Sequence, residues 1–245
     1  MKLNTILCGD CLELMKEIPD ASIDMVLCDL PYGITQNKKD ICIELEQLWN
    51  AYARISKPAT PFIFTSQQPF TTKLINSNPE MFRYELIWDK VLVSGHLNAN
   101  RMPLRTHENI LVFYKSQCTY NPQKTIGVPS HKRGMNPTQN NNYGKFNPID
   151  NGIELGNMKH PTSIIRIEKT HPSVSIHPTQ KPVELFEWLI RTYTNEKDTV
   201  LDNCIGSGTT AIACINTKRN FIGIELSEEY CKIANERITK EKEKC

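Results

Sequence analysis

The sequence predicts an α/β fold: an open sheet with flanking helices, interrupted by one long insert. Three observations carry that expectation. Short apolar runs alternate with amphipathic helical stretches over most of the chain. Two of those runs each deliver an acid into a turn. Ile23 to Cys28 leads into Asp29-Leu30-Pro31-Tyr32-Gly33, and Thr199 to Leu201 leads into Asp202-Asn203-Cys204-Ile205-Gly206-Ser207-Gly208-Thr209-Thr210. Residues 116–172 lose the alternation and are rich in Asn, Pro, Lys and Gly, a long irregular span of the kind that is functional or disordered. An acid at the end of a buried strand, followed by a tight turn, is where open α/β sheets place ligands and chemistry.

Taken in order, Asn4 to Cys8 reads as a strand, and Leu12 to Ile18 as a helix stopped by Pro19-Asp20. The strand Ile23 to Cys28 follows. Leu45 to Ile55 has helical periodicity and Pro58 breaks it. Pro61 to Thr65 is a short strand and Gln68 to Ile75 a helix. Tyr84 to Trp88 and Ile110 to Tyr114 read as neighbouring strands joined by a loop over 89–109. Within 116–172, only Ser163 to Ile167 has strand character. Regular alternation resumes with a helix from Val183 to Tyr193, a strand to Asp202, a helix from Thr209 to Thr217, a strand from Asn220 to Glu225 and a last helix from Glu228. Ser227 is a good N-cap for that helix, and Glu228 and Glu229 suit its positive end. Tyr230, Ile233, Ala234 and Ile238 give it one apolar face.

At 245 residues, 39% hydrophobic and 23% charged, the chain has room for one α/β domain and an insert. The net charge of +2 is unevenly spread: residues 115–176 hold eight Lys or Arg against three Asp or Glu. A basic insert on a slightly acidic body suits a polyanion, and a solvated basic loop is the plain alternative. Of the nine cysteines only Cys8 and Cys11 are spaced as a CxxC pair, and none stands at zinc spacing with histidine, which predicts reduced, mostly buried thiols in a cytoplasmic protein. No apolar run reaches membrane-spanning length and no signal peptide opens the chain.

Gly206-Ser207-Gly208 stands between a strand and a helix, where glycine lets the backbone bend and a ligand come close. Glu225 ends the next strand. An acid there can accept both ribose hydroxyls of a nucleoside cofactor. Nucleotide-binding sheets that share this logic open with it, whereas here it lies in the last fifth of the chain.

Together, Asp29-Leu30-Pro31-Tyr32 and Asp202 to Thr210 resemble the catalytic and cofactor motifs of DNA amino-methyltransferases that use S-adenosylmethionine. Their order, catalytic motif first, is that of the family's β group. The resemblance implies a circularly permuted class I methyltransferase sheet, Rossmann-like, with residues 1–115 as its catalytic half, 116–172 as a target-recognition insert and 173–245 as its cofactor-binding half. It implies that Asp202, Gly206, Ser207, Gly208, Thr209 and Glu225 bind the cofactor, with Asp29 at its edge. His177-Pro178-Thr179-Gln180-Lys181-Pro182 resembles the family segment before the cofactor motif, which places Thr179 and Lys181 near the cofactor carboxylate. Gly9-Asp10-Cys11 resembles the segment that contacts the adenine of the cofactor; Asp10 reads equally well as an N-cap. The family usually has Pro-Phe where this chain has Asn203-Cys204, and Pro where it has Leu30.

The chemistry that the resemblance implies follows from the residue types. An exocyclic amine on adenine or cytosine is conjugated with its ring, so its lone pair is poorly nucleophilic. Two acceptors aimed at its hydrogens draw the nitrogen toward sp3 geometry. Asp29 supplies one and the backbone carbonyl of Leu30 the other, while Pro31 fixes the turn. Tyr32 offers a ring to a base flipped out of the duplex, which offsets part of the unstacking cost, on the order of 1–3 kcal/mol. Asp at the first position favours adenine N6 as the target. The alternatives are cytosine N4 by the same mechanism, methylation of RNA or a protein glutamine, and a non-catalytic DNA-binding relic. Cytosine C5 methylation needs a nucleophilic Pro-Cys, and the chain has none.

The partner expected is double-stranded DNA, with a second copy of the chain and a cognate restriction endonuclease as further candidates. The source expected is a bacterium or a phage. Lys132, Arg133, Lys145 and Lys159 in the insert are candidates to neutralise phosphates, joined by Arg101 and Arg105, with His107, in the preceding loop. His131, His160 and His171 have no partners at metal-ligand spacing.

Overall fold

The structure, a computed structural model, describes residues 2–33, 42–128, 157–169 and 180–244. The chain forms two compact units, one of residues 1–121 with 163–245 and one of 122–162. In the second, β6 (Thr125–Ile126) pairs antiparallel with β7 (Met158–Lys159).

The first unit is built on a large sheet. Its strands are β1 (Thr5–Cys8), β2 (Met25–Cys28), β3 (Phe62–Ser66), β4 (Phe82–Ser94), β5 (Arg105–Phe113), β8 (Ile164–Arg166), β9 (Thr199–Asp202) and β10 (Asn220–Glu225). They lie in the order β1-β10-β9-β2-β3-β5-β4-β8. From β1 to β3 all neighbours are parallel; β5 is antiparallel to β3 and to β4. The helices are α1 (Cys11–Leu14), α2 (Leu45–Ile55), α3 (Phe70–Ser77), α4 (Val183–Tyr193), α5 (Thr209–Thr217) and α6 (Glu228–Lys242). None of the described helices is long and apolar enough to cross a membrane.

The central strands β2, β3 and β9 are buried along their whole length, which explains their unbroken apolar runs. The period-2 alternation of side chains sorts them onto two faces. Met25, Leu27, Ile63, Ile110 and Val112 join α4 and α5 in one core. Val26, Cys28, Phe62, Phe64 and Leu111 join α2 and α3 in the other.

The topology also fixes where ligands bind. After β9 the chain moves to β10 on one side, and after β2 to β3 on the other, although β9 and β2 are neighbours. Such a reversal opens a crevice at the carboxyl ends of the two strands. Asp202 ends β9 and Asp29 follows β2, so both acids reach this crevice.

Four elements differ from the sequence reading. The helix expected over Leu12 to Ile18 is a single α-turn continued by a 3-10 turn over Met15–Glu17, because Ile18 is extended ahead of Pro19. The loop expected over 89–109 is mostly strand. β4 and β5 continue as a hairpin in which Asp89 pairs with His107 and, past a register shift, Ser94 pairs with Arg105. Ser227 occupies the N-cap of α6, but its side chain makes no capping bond. On the same helix the buried positions are Cys231, Ala234 and Ile238, with Tyr230 and Ile233 only half-buried. β8 lies within the range expected as insert, yet it pairs parallel with β4 and sends Ile165 into the main core.

Candidate active site

On the β9 side, a turn is fastened from beneath. The Asp202 side chain, 3% exposed, accepts from the Cys204 amide at 3.0 Å and from the Thr210 hydroxyl. Among the described residues no cation pairs with it, and burial pushes its carboxyl up to about 7. Asn203 stands where the motif it resembles usually has proline. Its side-chain carbonyl accepts the Tyr52 hydroxyl of α2 at 2.5 Å, and its amide faces Cys11 and Cys204 sulfurs at 3.7 and 3.5 Å. The departure thus comes with its own buried partners.

The two glycines of the turn serve different ends. Both have positive φ, +53° at Gly206 and +87° at Gly208. A Cβ on Gly206 would meet nothing within 4 Å, so this backbone faces open space; a Cβ on Gly208 would lie 3.0 Å from Cβ of Ala234, so this one permits α5 to approach α6. Ser207 is buried, with its hydroxyl and carbonyl oxygens accepting from Arg237, and Thr209 is buried at the start of α5.

Glu225 closes β10 beside the turn. One carboxylate oxygen accepts the Gly206 amide at 2.9 Å and the other the Ser227 amide at 2.8 Å, so the group is held with a lone pair to spare on each oxygen. Leu226 follows, 65% exposed. Sequence reasoning missed it; the signal was a leucine immediately after the strand-end acid. Asp10 emerges from β1, the strand next to β10. It is the N-cap of α1, accepting from the Leu12 and Glu13 amides, and its side chain is exposed. Cys11 is buried beside it. An acid held for two hydroxyls, an open glycine backbone and an exposed leucine along one sheet edge fit a nucleoside carrying an amino-acid tail.

On the β2 side the chemistry is charged. The Asp29 carboxylate accepts the Tyr32 hydroxyl at 2.7 Å and the Thr65 hydroxyl on one oxygen. Its other oxygen lies 3.0 Å from the Lys181 ammonium. Lys181 is also 3.1 Å from Glu108, and Glu108 is 3.2 Å from Lys90. Burial alone lowers the pKa of Lys181, but Asp29, Tyr32 and Glu108 carry it well above the usual lysine range. Glu108 is held below its usual value, its burial outweighed by Lys181 and Lys90. Burial, then Asp29, raises the Tyr32 phenol, so it remains a donor. Its ring stacks on Phe70 with centroids 5.2 Å apart, and the Lys181 ammonium lies 5.8 Å from its centroid. Leu30 is buried and Pro31 half-buried in the same turn.

Lys181, expected near the cofactor carboxylate, has its ammonium between Asp29 and Glu108. Glu108 and Lys90 escaped the sequence reading because both fell in the expected loop 89–109. The parity of their strands was the available signal: Glu108 continues Ile110 and Val112 inward, and Lys90 continues Leu86 and Trp88. Arg101, Arg105 and His107 are exposed on the β4–β5 hairpin, whereas Lys159 is half-buried on β7. Thr179, Lys132, Arg133 and Lys145, with His131 and His171, lie outside the described residues. Of the eight described cysteines, all are free thiols, and burial raises Cys28 to about 12.

Comparison with known proteins agrees with this geometry. Residues 23–236 match the family model described as DNA methylase. The type II methyltransferase M.BglII of Bacillus subtilis is 30% identical over 95% of this chain and 68% of its own length. The DNA adenine methyltransferase YhdJ of Escherichia coli is 28% identical over 96% of this chain and 82% of its own. The crystal structure of the M1.HpyAVI–SAM complex superposes with a TM-score of 0.64 at 26% identity, covering 95% of this chain and 98% of that one. The chain belongs to the DNA methylase family, the DNA amino-methyltransferases that use S-adenosylmethionine.

Proposed function

We propose that the chain methylates the exocyclic N6 of adenine in duplex DNA, on a base flipped into the crevice beside Asp29. The observation that carries this reading is the Asp29 carboxylate itself: at the crevice, a quarter exposed, and fixed by three donors. A carboxylate offers about four lone-pair sites, so one remains for an amine hydrogen. The Leu30 carbonyl is the second acceptor, and Tyr32 presents to the base the part of its ring that Phe70 leaves free. With both amine hydrogens held, the nitrogen lone pair turns toward the methyl donor. S-adenosylmethionine supplies an activated methyl group on a sulfonium, so positioning does most of the work that remains. Once methylated the nitrogen is acidic and sheds its extra proton without a strong base.

Glu225 is suited to hold the cofactor ribose, Leu226 to lie against its adenine, and the open backbone at Gly206 to admit its tail. Asp10, Cys11 and Thr209, also expected as contacts, line the same edge or the turn beneath it. Asp29 as the first motif residue, and the similarity to the DNA adenine methyltransferase YhdJ, favour adenine over cytosine.

Duplex DNA reaches the site along the β4–β5 hairpin. Ser66, the last residue of β3, pairs with Asn109, so β5 runs four residues further, roughly 13 Å, beyond the edge that carries Asp29. Arg101 and Arg105 on this projection suit phosphates. The type II name of M.BglII is in keeping with a restriction–modification role in a bacterial cytoplasm.

The test is incubation with labelled S-adenosylmethionine and unmethylated duplex DNA, followed by digestion to nucleosides and mass spectrometry. N6-methyladenine is expected. N4-methylcytosine instead would keep the mechanism and overturn the base; label in RNA or protein alone would overturn the substrate.

A further inference from the structure

We propose that Glu108, backed by Lys90, is a positioning residue for methyl transfer: it shares the Lys181 charge and holds that ammonium where it orients Asp29. The inference rests on Asp29 being the acceptor for the target amine.

The argument begins with strand parity. On β2, Met25 and Leu27 point into the core beneath α4, and Asp29 is the next position of that face. On β3 the same face carries Ile63 and then Thr65. On β5 it carries Val112, Ile110 and then Glu108; on β4, Leu86, Trp88 and then Lys90. Four adjacent strands therefore replace an apolar residue with a polar one at the same end of the same face. Lys181 comes from the segment before α4, which packs on that face, and lies over the row.

Burial makes the row consequential. The side chains of Lys90, Lys181 and Glu108 are only 4%, 9% and 13% exposed. Charges so placed are strongly unfavourable unless paired, and a merely structural solution would have continued the apolar pattern. Only at Asp29 does the row open, to 25% exposure. A lysine paired with Asp29 alone would spend its full charge on that carboxylate and weaken it as an acceptor. Glu108 at 3.1 Å divides that charge, and Lys90 at 3.2 Å keeps Glu108 ionised and in place.

The test compares Glu108→Gln, Glu108→Asp, Lys181→Met, the Glu108→Gln/Lys181→Met double variant and Asp29→Ala. Single-turnover methylation of duplex DNA is followed across pH, with S-adenosylmethionine affinity from calorimetry. Glu108→Gln is expected to slow the methyl-transfer step by about 10- to 100-fold, the scale of a small misplacement of a reacting group, with cofactor affinity little changed. Among the described residues, the groups facing Lys181 are Asp29, Tyr32, Glu108 and Lys90. Loss of Glu108 removes one of the groups that raise its pKa, so the alkaline limb of the rate profile moves to lower pH. Glu108→Asp keeps the charge, retains that limb and recovers most of the rate, which holds even where Glu108→Gln folds poorly. The double variant is no slower than Lys181→Met alone, because Glu108 acts through Lys181. A wild-type rate and limb in Glu108→Gln beside a dead Asp29→Ala overturns this inference alone. So do additive losses in the double variant, which make Glu108 structural. Undiminished turnover in Asp29→Ala overturns the acceptor assignment and this inference with it.

Discussion

Asp202 and Asp29 occupy equivalent places, each at the carboxyl end of one of two neighbouring parallel strands, yet their surroundings are opposite. Asp202 is sealed under a turn, with a hydroxyl and an amide for partners and no paired cation among the described residues. Asp29 opens to the crevice with a lysine on one oxygen and two hydroxyls on the other. The difference teaches how one sheet edge supports two tasks. The β9 side is a scaffold of short-range hydrogen bonds that shapes the backbone of the glycine turn. The β2 side is a balance of four buried or half-buried charges that sets the strength and direction of one acceptor.

The largest effect should come from removing that acceptor. Asp29→Ala is expected to lower the rate of methyl transfer by roughly 10²–10³-fold or more, the scale seen when one preorganised polar partner of a transition state is deleted. Cofactor affinity should stay near wild type in calorimetry, since the turn at Gly206 and the Glu225 contacts belong to other strands. A parallel collapse of cofactor affinity would merge the two sides into one unit and end the contrast drawn between them.

Asp202 breaks the comparison in a different observable. Its folded-state carboxyl is raised to about 7 from 3.8, so between these values the folded chain holds a proton that the unfolded chain has lost. Stability contributed by this group is therefore present in full below about pH 4, and it declines as pH rises to about 7. The slope approaches about 1.4 kcal/mol per pH unit where only the folded form is protonated. Asp202→Asn should remove that slope. Urea denaturation of both proteins at several pH values measures the difference; parallel curves would show that Asp202 titrates as an ordinary surface acid.

Tyr52→Phe is expected to cost less, on the order of 1–3 kcal/mol, because it leaves the buried carbonyl of Asn203 without its hydroxyl donor. Denaturation midpoints at one pH suffice to measure it. No change would mean that Asn203 turns to another partner, and the β9 scaffold would then be looser than its hydrogen bonds suggest.

The scaffold side was the more legible in the sequence, and the reason is physical. Local chemistry sets β9, α5 and β10: an apolar run, glycines at positive φ, and an acid at the next strand end, all within about 25 residues of chain. Thr209–Thr217 and Asn220–Glu225 match their expected bounds, as does Leu45–Ile55. Asp29, the acid proposed as acceptor, is equally visible in its Asp-Leu-Pro-Tyr turn. Its electrostatic partners are not. Glu108 and Lys90 meet only because β4 and β5 pair antiparallel, and Lys181 arrives from a segment some 70 residues later in the chain than Glu108. Long-range pairing of this kind leaves one local trace, a charged residue that keeps the inward parity of an apolar strand. The hairpin extension was lost for a related reason: Asp89, Lys90, Arg105 and His107 look like loop residues until the partner strand is known.

The smallest expected effect separates the two glycines of the scaffold. Gly206→Ala places a methyl group in open space, so its stability cost is the left-handed backbone alone, about 1–2 kcal/mol. Gly208→Ala adds to the same strain a contact 3.0 Å from Ala234, where α5 and α6 meet, and should cost more. Cofactor affinity should rank them the other way. The Gly206 methyl stands in the space proposed for the cofactor, whereas the Gly208 methyl stands between helices. Paired denaturation and calorimetry of the two variants therefore test whether the open backbone at Gly206 belongs to a ligand. If Gly206→Ala binds S-adenosylmethionine as well as wild type does, that space serves the turn alone, and the cofactor tail lies elsewhere along the edge.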